Sequence, residues 1–218
     1  RVIPNTPETI TSLRTQKKSL RLLTNNAMHS PKQMNTWFAE HNLELQPHEI
    51  ISSGQGLTND PTLTQLIQNK VLFLLGHPTS SAYLPETHTL TEDPTKADII
   101  LFMSYTKPEQ EPIFKTIQTH LRQHPETPVI CCNPDQHIYS NGTLKPVVGY
   151  HVTELQNETS CPVHWFGKPY PDFYHMTQAI LNKDSLSLDA STCFFDDNPD
   201  NLKGLKSLYL LRLAQIMV

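Results

Sequence analysis

Long hydrophobic runs are absent from this sequence. No apolar stretch approaches the roughly 20 residues that a membrane-spanning helix requires, so we expect no membrane partner. Basic residues are also sparse and scattered, with 17 lysines and arginines and a net charge of −4. Because nucleic-acid-binding proteins carry dense basic patches, the sequence gives no indication of a nucleic-acid partner.

Cysteine is rare as well. The four cysteines are Cys131, Cys132, Cys161 and Cys193, and no pair has the spacing of a zinc knuckle. We interpret them as reduced core residues, and we therefore expect a cytoplasmic protein. The hydrophobic fraction is only 37%, but the apolar residues are clustered in short blocks, which indicates a folded chain.

The apolar blocks alternate with helical patterns. Three blocks, at 70–76, 97–104 and 128–133, predict buried strands, and the spacing of apolar residues over 110–124 predicts a helix between the last two. Strands that alternate with helices are typical of parallel sheets with helical crossovers. The order of elements thus predicts an α/β core whose two halves, 1–52 and 150–218, are separated by an α/β insertion at 53–149.

Three short polar stretches, "LLTNN", "WFGKPYP" and "FFDDNPDN", each follow an apolar strand. Since the carboxyl ends of parallel strands share one edge of a sheet, Thr24 and Asn25, Lys168, and the pair Asp196 and Asp197 are expected to converge there. A hydroxyl with backbone N–H groups suits a phosphate, and a lysine supplies a point charge. Paired carboxylates suit Mg²⁺, which prefers oxygen ligands.

These stretches resemble motifs of the haloacid dehalogenase superfamily of phosphatases, specifically its NagD-like branch of nitrophenylphosphatases and pyridoxal phosphatases. "LLTNN" is similar to the second motif, "FGKPYPDFY" to the third and "FFDDNPDN" to the fourth, although the branch more usually has Gly-Asp there. "IISSGQGL" and "CCNPD…GTLKPVVG" are similar to the segments that leave and re-enter the core around a cap. The resemblance implies a Rossmann-like core with a parallel sheet and an inserted α/β cap domain.

The family's first motif, DxDG with a nucleophilic aspartate, is missing, and no DxD occurs in the 218 residues. The opening "RVIPNTPETI" resembles the segment just after that motif, so we expect the motif to precede Arg1. The implied reaction is an attack by that aspartate on phosphorus, followed by hydrolysis of the aspartyl-phosphate. The alternative is a non-catalytic protein on the same fold that has lost the nucleophile and only binds a phosphoryl ligand.

The resemblance also implies roles for individual residues. The Thr24 hydroxyl and the Asn25 backbone N–H would bind phosphate, and Lys168 would neutralise its charge and hold the nucleophile. Asp196 and Asp197 would hold Mg²⁺ directly or through water. Acids at a helix N-terminus are also common caps, which is the plain alternative for this pair.

Three further residues have supporting roles in this interpretation. Asn201 would position Lys168 or a metal-bound water. Asn133 and Asp135 match a cap-return motif and would face the substrate, although Asn-Pro-Asp is equally ordinary turn chemistry. Altogether we expect a Mg²⁺-dependent phosphomonoester hydrolase for a small phosphorylated metabolite, which could pair as a homodimer through the cap.

Overall fold

The computed structural model describes residues 3–105, 109–140, 142–206, 208 and 212–215. Helices and strands alternate along them, and apart from one hairpin every pair of strands is parallel. The predicted α/β class with a parallel sheet is therefore confirmed. Within these residues, no helix combines the length and the apolar character needed to cross a membrane.

The largest sheet has five parallel strands in the order β4-β3-β5-β6-β9. Its three central strands consist almost entirely of buried apolar residues, because parallel sheets are covered on both faces. The strands are β3 (Val71–Leu75), β4 (Thr89–Leu90), β5 (Ile99–Phe102), β6 (Val129–Cys131) and β9 (Val163–Trp165).

Alternate side chains of these strands enter two separate cores. Leu72, Leu101 and Ile130 face one core, whereas Phe73 and Phe102 face the other. The first core is covered by α3 (Gly56–Asn59), α4 (Pro61–Ile67) and α7 (Pro171–Lys183), and the second by α5 (Glu111–Gln123) and α6 (Val148–Thr159). The apolar blocks of the sequence thus form the interior of a three-layer arrangement.

The predicted domain boundary at residue 150 divides this sheet. Strand β9 lies beyond the boundary, but it pairs with β6, which lies inside the predicted insertion. Helix α6, which begins at Val148, packs on the same sheet. The chain thus leaves the five-stranded sheet only after Trp165, and the division into core and cap remains a prediction.

Two smaller parallel sheets are formed by segments from the first and last quarters of the sequence. β1 (Leu22–Thr24) pairs with β2 (Ile50–Ser52), and β10 (Cys193–Asp196) pairs with β11 (Arg212–Gln215). In the part of the chain that the structure describes, neither pair bonds to another strand. The remaining helices are α1 (Thr6–Thr15), α2 (Pro31–Glu40) and α8 (Pro199–Lys206), and the hairpin consists of β7 (His137–Ser140) and β8 (Thr143–Pro146).

Strand β10 is much less covered than its sequence predicts. Phe195 is 57% exposed and Cys193 is exposed too, so the prediction that all four cysteines lie in the core is wrong for Cys193. The other three are buried free thiols. An apolar strand remains exposed when no element packs on its outer side, and the sequence pattern alone does not reveal this.

Candidate functional site

The loops that follow β1, β9 and β10 meet at Lys168. Strand β1 ends at Thr24. The next residue, Asn25, is buried, and its side chain forms hydrogen bonds with both the backbone N–H and the backbone carbonyl of Lys168. Strand β10 ends at Asp196, whose Oδ2 accepts a hydrogen bond from Lys168 Nζ at 2.7 Å. Three segments that are far apart in sequence thus form one cluster of polar side chains.

Lys168 and Asp196 form a largely buried ion pair. Their side chains are 13% and 4% exposed. Burial raises the pKa of Asp196, but the charge of Lys168 and the hydrogen bonds that the carboxylate accepts outweigh burial, so that its pKa is lowered from the ordinary value. Asp196 is therefore a carboxylate at neutral pH, and it holds the lysine ammonium in a fixed position.

The other oxygen of Asp196 is bonded to the start of α8. Its Oδ1 accepts hydrogen bonds from Asn198 N at 2.9 Å and from Asn201 Nδ2 at 3.0 Å. Neither donor is a backbone N–H of α8, so Asp196 does not cap this helix as the alternative in the sequence analysis would have it; the first-turn N–H of Asp200 donates to Asn198 Oδ1 instead. Asn201 Oδ1 is buried and has no partner among the described residues, so one acceptor remains available at the base of the cluster.

Asn25 connects the β1 end to the Gly-Lys-Pro loop through its side chain. Its Oδ1 accepts from Lys168 N at 2.7 Å, and its Nδ2 donates to Lys168 O at 2.9 Å. Gly167 is required beside it, because its φ is 135° and an added Cβ would lie 2.6 Å from Asn25 Oδ1. The sequence predicted a role for the backbone of Asn25 but missed this contact of its side chain.

Thr24 and Asp197 lie beside the cluster and keep polar atoms available. Thr24 Oγ1 accepts a hydrogen bond from Asn26 N at 3.1 Å, which leaves its hydroxyl proton for another acceptor. Asp197 is exposed, and its negative charge is felt by Asp135. Thr24 directly precedes Asn25 and Asp197 directly follows Asp196 in the chain, and the roles of Thr24 and Asp197 stay predictions.

The two predicted substrate residues lie in one turn after β6. Asn133 Oδ1 accepts from Asp135 N at 3.2 Å, which is the turn chemistry named as the alternative for this motif. Asp135 Oδ1 accepts from Asn25 Nδ2 at 2.8 Å, so its side chain belongs to the cluster around Lys168. Burial raises the pKa of Asp135, with Asn25 and Lys168 acting against it and the charges of Asp196 and Asp197 adding to it.

The donor set only partly fits a magnesium ion. Carboxylate oxygens are the ligands that Mg²⁺ prefers, and the exposed Asp197 offers two of them. Both oxygens of Asp196 already accept hydrogen bonds. The described ranges contain no group of three or more His, Cys, Asp or Glu side chains arranged for a metal ion. The carboxylates present are therefore ligands of the type that Mg²⁺ prefers, but the described residues do not supply a complete set of ligands.

Comparisons with known proteins agree with the arrangement of strands and loops. The family model for haloacid dehalogenase-like hydrolases matches residues 1–88. A possible sugar phosphatase from Cytophaga hutchinsonii superposes with a TM-score of 0.80 at 18% identity, over 97% of this chain and 78% of the other. The chain has the haloacid dehalogenase-like fold.

Two further solved structures are similar to this fold. A double mutant of the thermostable NPPase from Geobacillus stearothermophilus has a TM-score of 0.77 at 19% identity, covering 97% of this chain and 81% of the other. NagD from E. coli K-12 has a TM-score of 0.72 at 18% identity, covering 99% and 81%. A search of curated proteins found no match. The resemblance that the motifs predicted is thus confirmed at the level of the haloacid dehalogenase-like fold.

Proposed function

We propose that this haloacid dehalogenase-like protein is a Mg²⁺-dependent phosphomonoester hydrolase that acts on a small phosphorylated metabolite. The observation that carries the proposal is the Lys168–Asp196 ion pair, which joins the loop after β9 to the end of β10. A fixed ammonium group in a largely buried position stabilises the negative charge of a bound phosphoryl group without having to reorganise first. The similar structures include a possible sugar phosphatase and a thermostable NPPase, which also favours this chemistry.

A phosphate bound at Lys168 would have a second donor in Thr24. The Thr24 hydroxyl proton is available because the hydroxyl oxygen already accepts from Asn26 N. Since Asn25 links the end of β1 to the backbone of Lys168, the hydroxyl and the ammonium lie on adjoining segments. A hydroxyl and an ammonium group together would bind two different oxygens of one phosphate.

Magnesium would be held mainly through Asp197. Asp196 is already committed to Lys168 and to the start of α8, whereas Asp197 is exposed. The ion would neutralise part of the phosphate charge. The remaining ligands would have to come from water, from the phosphate or from residues outside those described.

The nucleophile would be an aspartate outside the 218 residues, and it would form an aspartyl-phosphate. Its expected location is next to Lys168, because a further parallel strand beside β1 or β10 would end at the same edge. Within the described residues each of these strands pairs on one side only, and β10 leaves Phe195 exposed. Such a strand would bring the reacting carboxylate to the lysine and cover β10.

A second candidate is a protein that binds a phosphoryl ligand without hydrolysing it. It is favoured by the absence of DxD from the 218 residues and by the incomplete metal ligand set among the described ones. The two candidates share the phosphate-binding groups and differ only in the nucleophile. A location in the cytoplasm and a homodimer formed through the inserted segment remain part of the proposal for either candidate.

The deciding experiment compares the product of the complete gene with the 218-residue chain. We expect the former to hydrolyse p-nitrophenyl phosphate with Mg²⁺ and to lose activity in EDTA. The 218-residue chain should be inactive but should still bind inorganic phosphate, as measured by calorimetry. Phosphate binding without hydrolysis by the complete product would favour the second candidate, and the absence of both would contradict the two candidates together.

A further inference from the structure

Asp135 contacts the amide that holds the lysine loop. The Asn25 amide nitrogen carries two protons, one of which is donated to Asp135 Oδ1 and the other to Lys168 O. The amide oxygen then accepts from Lys168 N. All three polar contacts of this buried amide are therefore defined, and one of them belongs to a residue of the loop after β6.

An ionised Asp135 favours the same orientation of the Asn25 amide as the two hydrogen bonds with the Lys168 backbone. An ionised carboxylate only accepts hydrogen bonds, so it must face the amide nitrogen and not the amide oxygen. If the amide were flipped, its oxygen would face both the carboxylate and Lys168 O, and its nitrogen would face Lys168 N–H. Two favourable contacts to the lysine backbone would become repulsive. Asp135 therefore favours the single orientation in which Asn25 holds Lys168.

The backbone around Asp135 is held on both sides. Asp135 N donates to Asn133 Oδ1, and Asp135 O accepts from Gly149 N at 3.1 Å. A Cβ at position 149 would lie 2.4 Å from Pro134 O and 2.5 Å from Asp135 O, so only glycine allows this close approach of α6. The carboxylate thus projects from a fixed turn that is packed against a helix of the five-stranded sheet.

We propose that Asp135 is a positioning residue, whose carboxylate orients the Asn25 amide and thereby fixes the backbone of the loop that carries Lys168. The inference rests on the proposed hydrolase function. It is an alternative to the prediction from sequence that Asp135 faces the substrate. A residue that acts through Lys168 affects the transfer of the phosphoryl group, which all substrates share, and not the recognition of the leaving group.

The test uses the product of the complete gene and three phosphate monoesters with different leaving groups: p-nitrophenyl phosphate, glycerol phosphate and pyridoxal phosphate. Asp135→Ala should lower kcat about 10-fold, and the loss should be equal for all three esters. A small displacement of a catalytic group lowers the rate of the reaction strongly. KM should change little. A loss of kcat that differs among the three esters, or a change mainly in KM, would indicate that Asp135 contacts the substrate and would overturn the proposal.

The matched control is Gln136→Ala. Gln136 is the exposed neighbour of Asp135, and its side chain bonds to Pro134 O and to Thr153 Oγ1, away from Asn25. The Gln136→Ala variant should keep kcat within about twofold of the wild-type value. Asp135→Asn is the second variant in case the alanine variant does not fold. Its amide can present either end to Asn25, so a loss of kcat common to all three esters supports the proposal, and an unchanged kcat contradicts it.

A double-mutant cycle separates action through Asn25 from independent action. If Asp135 acts through Asn25, the double variant Asn25→Ala with Asp135→Ala should be no slower than Asn25→Ala alone. Multiplied losses would overturn the proposal. A wild-type protein that neither hydrolyses the three esters nor binds inorganic phosphate would contradict the proposed function itself. An active wild type with an unaffected Asp135→Ala variant would contradict only the positioning role.

Discussion

Asn25 and Lys168 are 143 positions apart and exchange two hydrogen bonds, from Lys168 N to Asn25 Oδ1 and from Asn25 Nδ2 to Lys168 O. This pair joins the end of β1 to the loop that follows β9. The lysine side chain is directed to Asp196 at the end of β10, so its backbone and its ammonium group are each held by a different strand end.

Gly167→Ala should displace the lysine loop. The new methyl group would lie 2.6 Å from Asn25 Oδ1, and the φ of 135° is unfavourable for alanine. We expect a loss of about 2–4 kcal/mol in the free energy of unfolding, from backbone strain and overpacking together. Urea unfolding measures the loss, and turnover of p-nitrophenyl phosphate should fall in parallel.

The control for this substitution is Gly142→Ala. Gly142 also has a positive φ, of 76°, but an added Cβ would meet no atom of the described residues within 4 Å. It should cost only the strain of a left-handed alanine, about 1 kcal/mol, and leave turnover unchanged. Equal losses in the two variants would show that contact with Asn25 contributes nothing.

Lys168→Ala should destabilise the fold as well as remove activity. Asp196 would remain buried with its charge unbalanced, and breaking a buried pair in this way costs about 3 kcal/mol. Lys203→Ala is the comparison, because Lys203 forms an exposed pair with Asp200 and should change stability by less than about 1 kcal/mol. Similar unfolding free energies for both variants would mean that the Lys168–Asp196 pair is solvated in solution.

Much of the fold could be predicted from the sequence because the three central strands of the large sheet are apolar on both faces. Segments such as 70–76 and 97–104 fit β3 and β5 for this reason. The predicted boundary at residue 150 falls between two paired strands, β6 and β9, because a strand's sequence pattern does not identify its partner. Only the tertiary arrangement shows that β9 pairs with β6.

The site was predictable to the extent that it depends on strand ends. Lys168 and Asp196 were expected to meet because the carboxyl ends of parallel strands share one edge of a sheet. They do meet, although β9 and β10 belong to different sheets among the described residues. The side-chain contacts of Asn25 could not be expected, since an asparagine after a strand gives no sign of a partner 143 residues away. The exposure of Cys193 was missed for a similar reason, because burial depends on what packs against a strand.

The ion pair between Arg14 and Glu49 should make stability depend on pH. Burial raises the pKa of Glu49, but the hydrogen bonds from Arg14 and Gln46 and the nearby positive charges outweigh burial and lower it. A lowered pKa stabilises the fold above the unfolded value of about 4.3, and this stabilisation is lost as the pH falls through the folded value. Urea unfolding between pH 7 and pH 3 measures it.

Two variants test this assignment. Glu49→Gln should be less stable than the wild type at pH 7, and the difference should shrink as the pH falls below about 4. Arg14→Gln removes the main partner, so the loss of stability in acid should become smaller. If Arg14→Gln lost as much unfolding free energy between pH 7 and pH 3 as the wild type does, other carboxylates would cause that loss.

Asp197→Asn should weaken the dependence on magnesium without weakening the fold. Asp197 is exposed and lies next to Asp196, so its substitution should change the free energy of unfolding by less than about 0.5 kcal/mol. If Asp197 binds the ion, the Mg²⁺ concentration for half-maximal hydrolysis of p-nitrophenyl phosphate should rise at least about 10-fold, because a charged ligand is lost. Asp200→Asn, an exposed acid of the first turn of α8, should leave that concentration unchanged. Equal Mg²⁺ requirements in the wild type and Asp197→Asn would place the ion elsewhere.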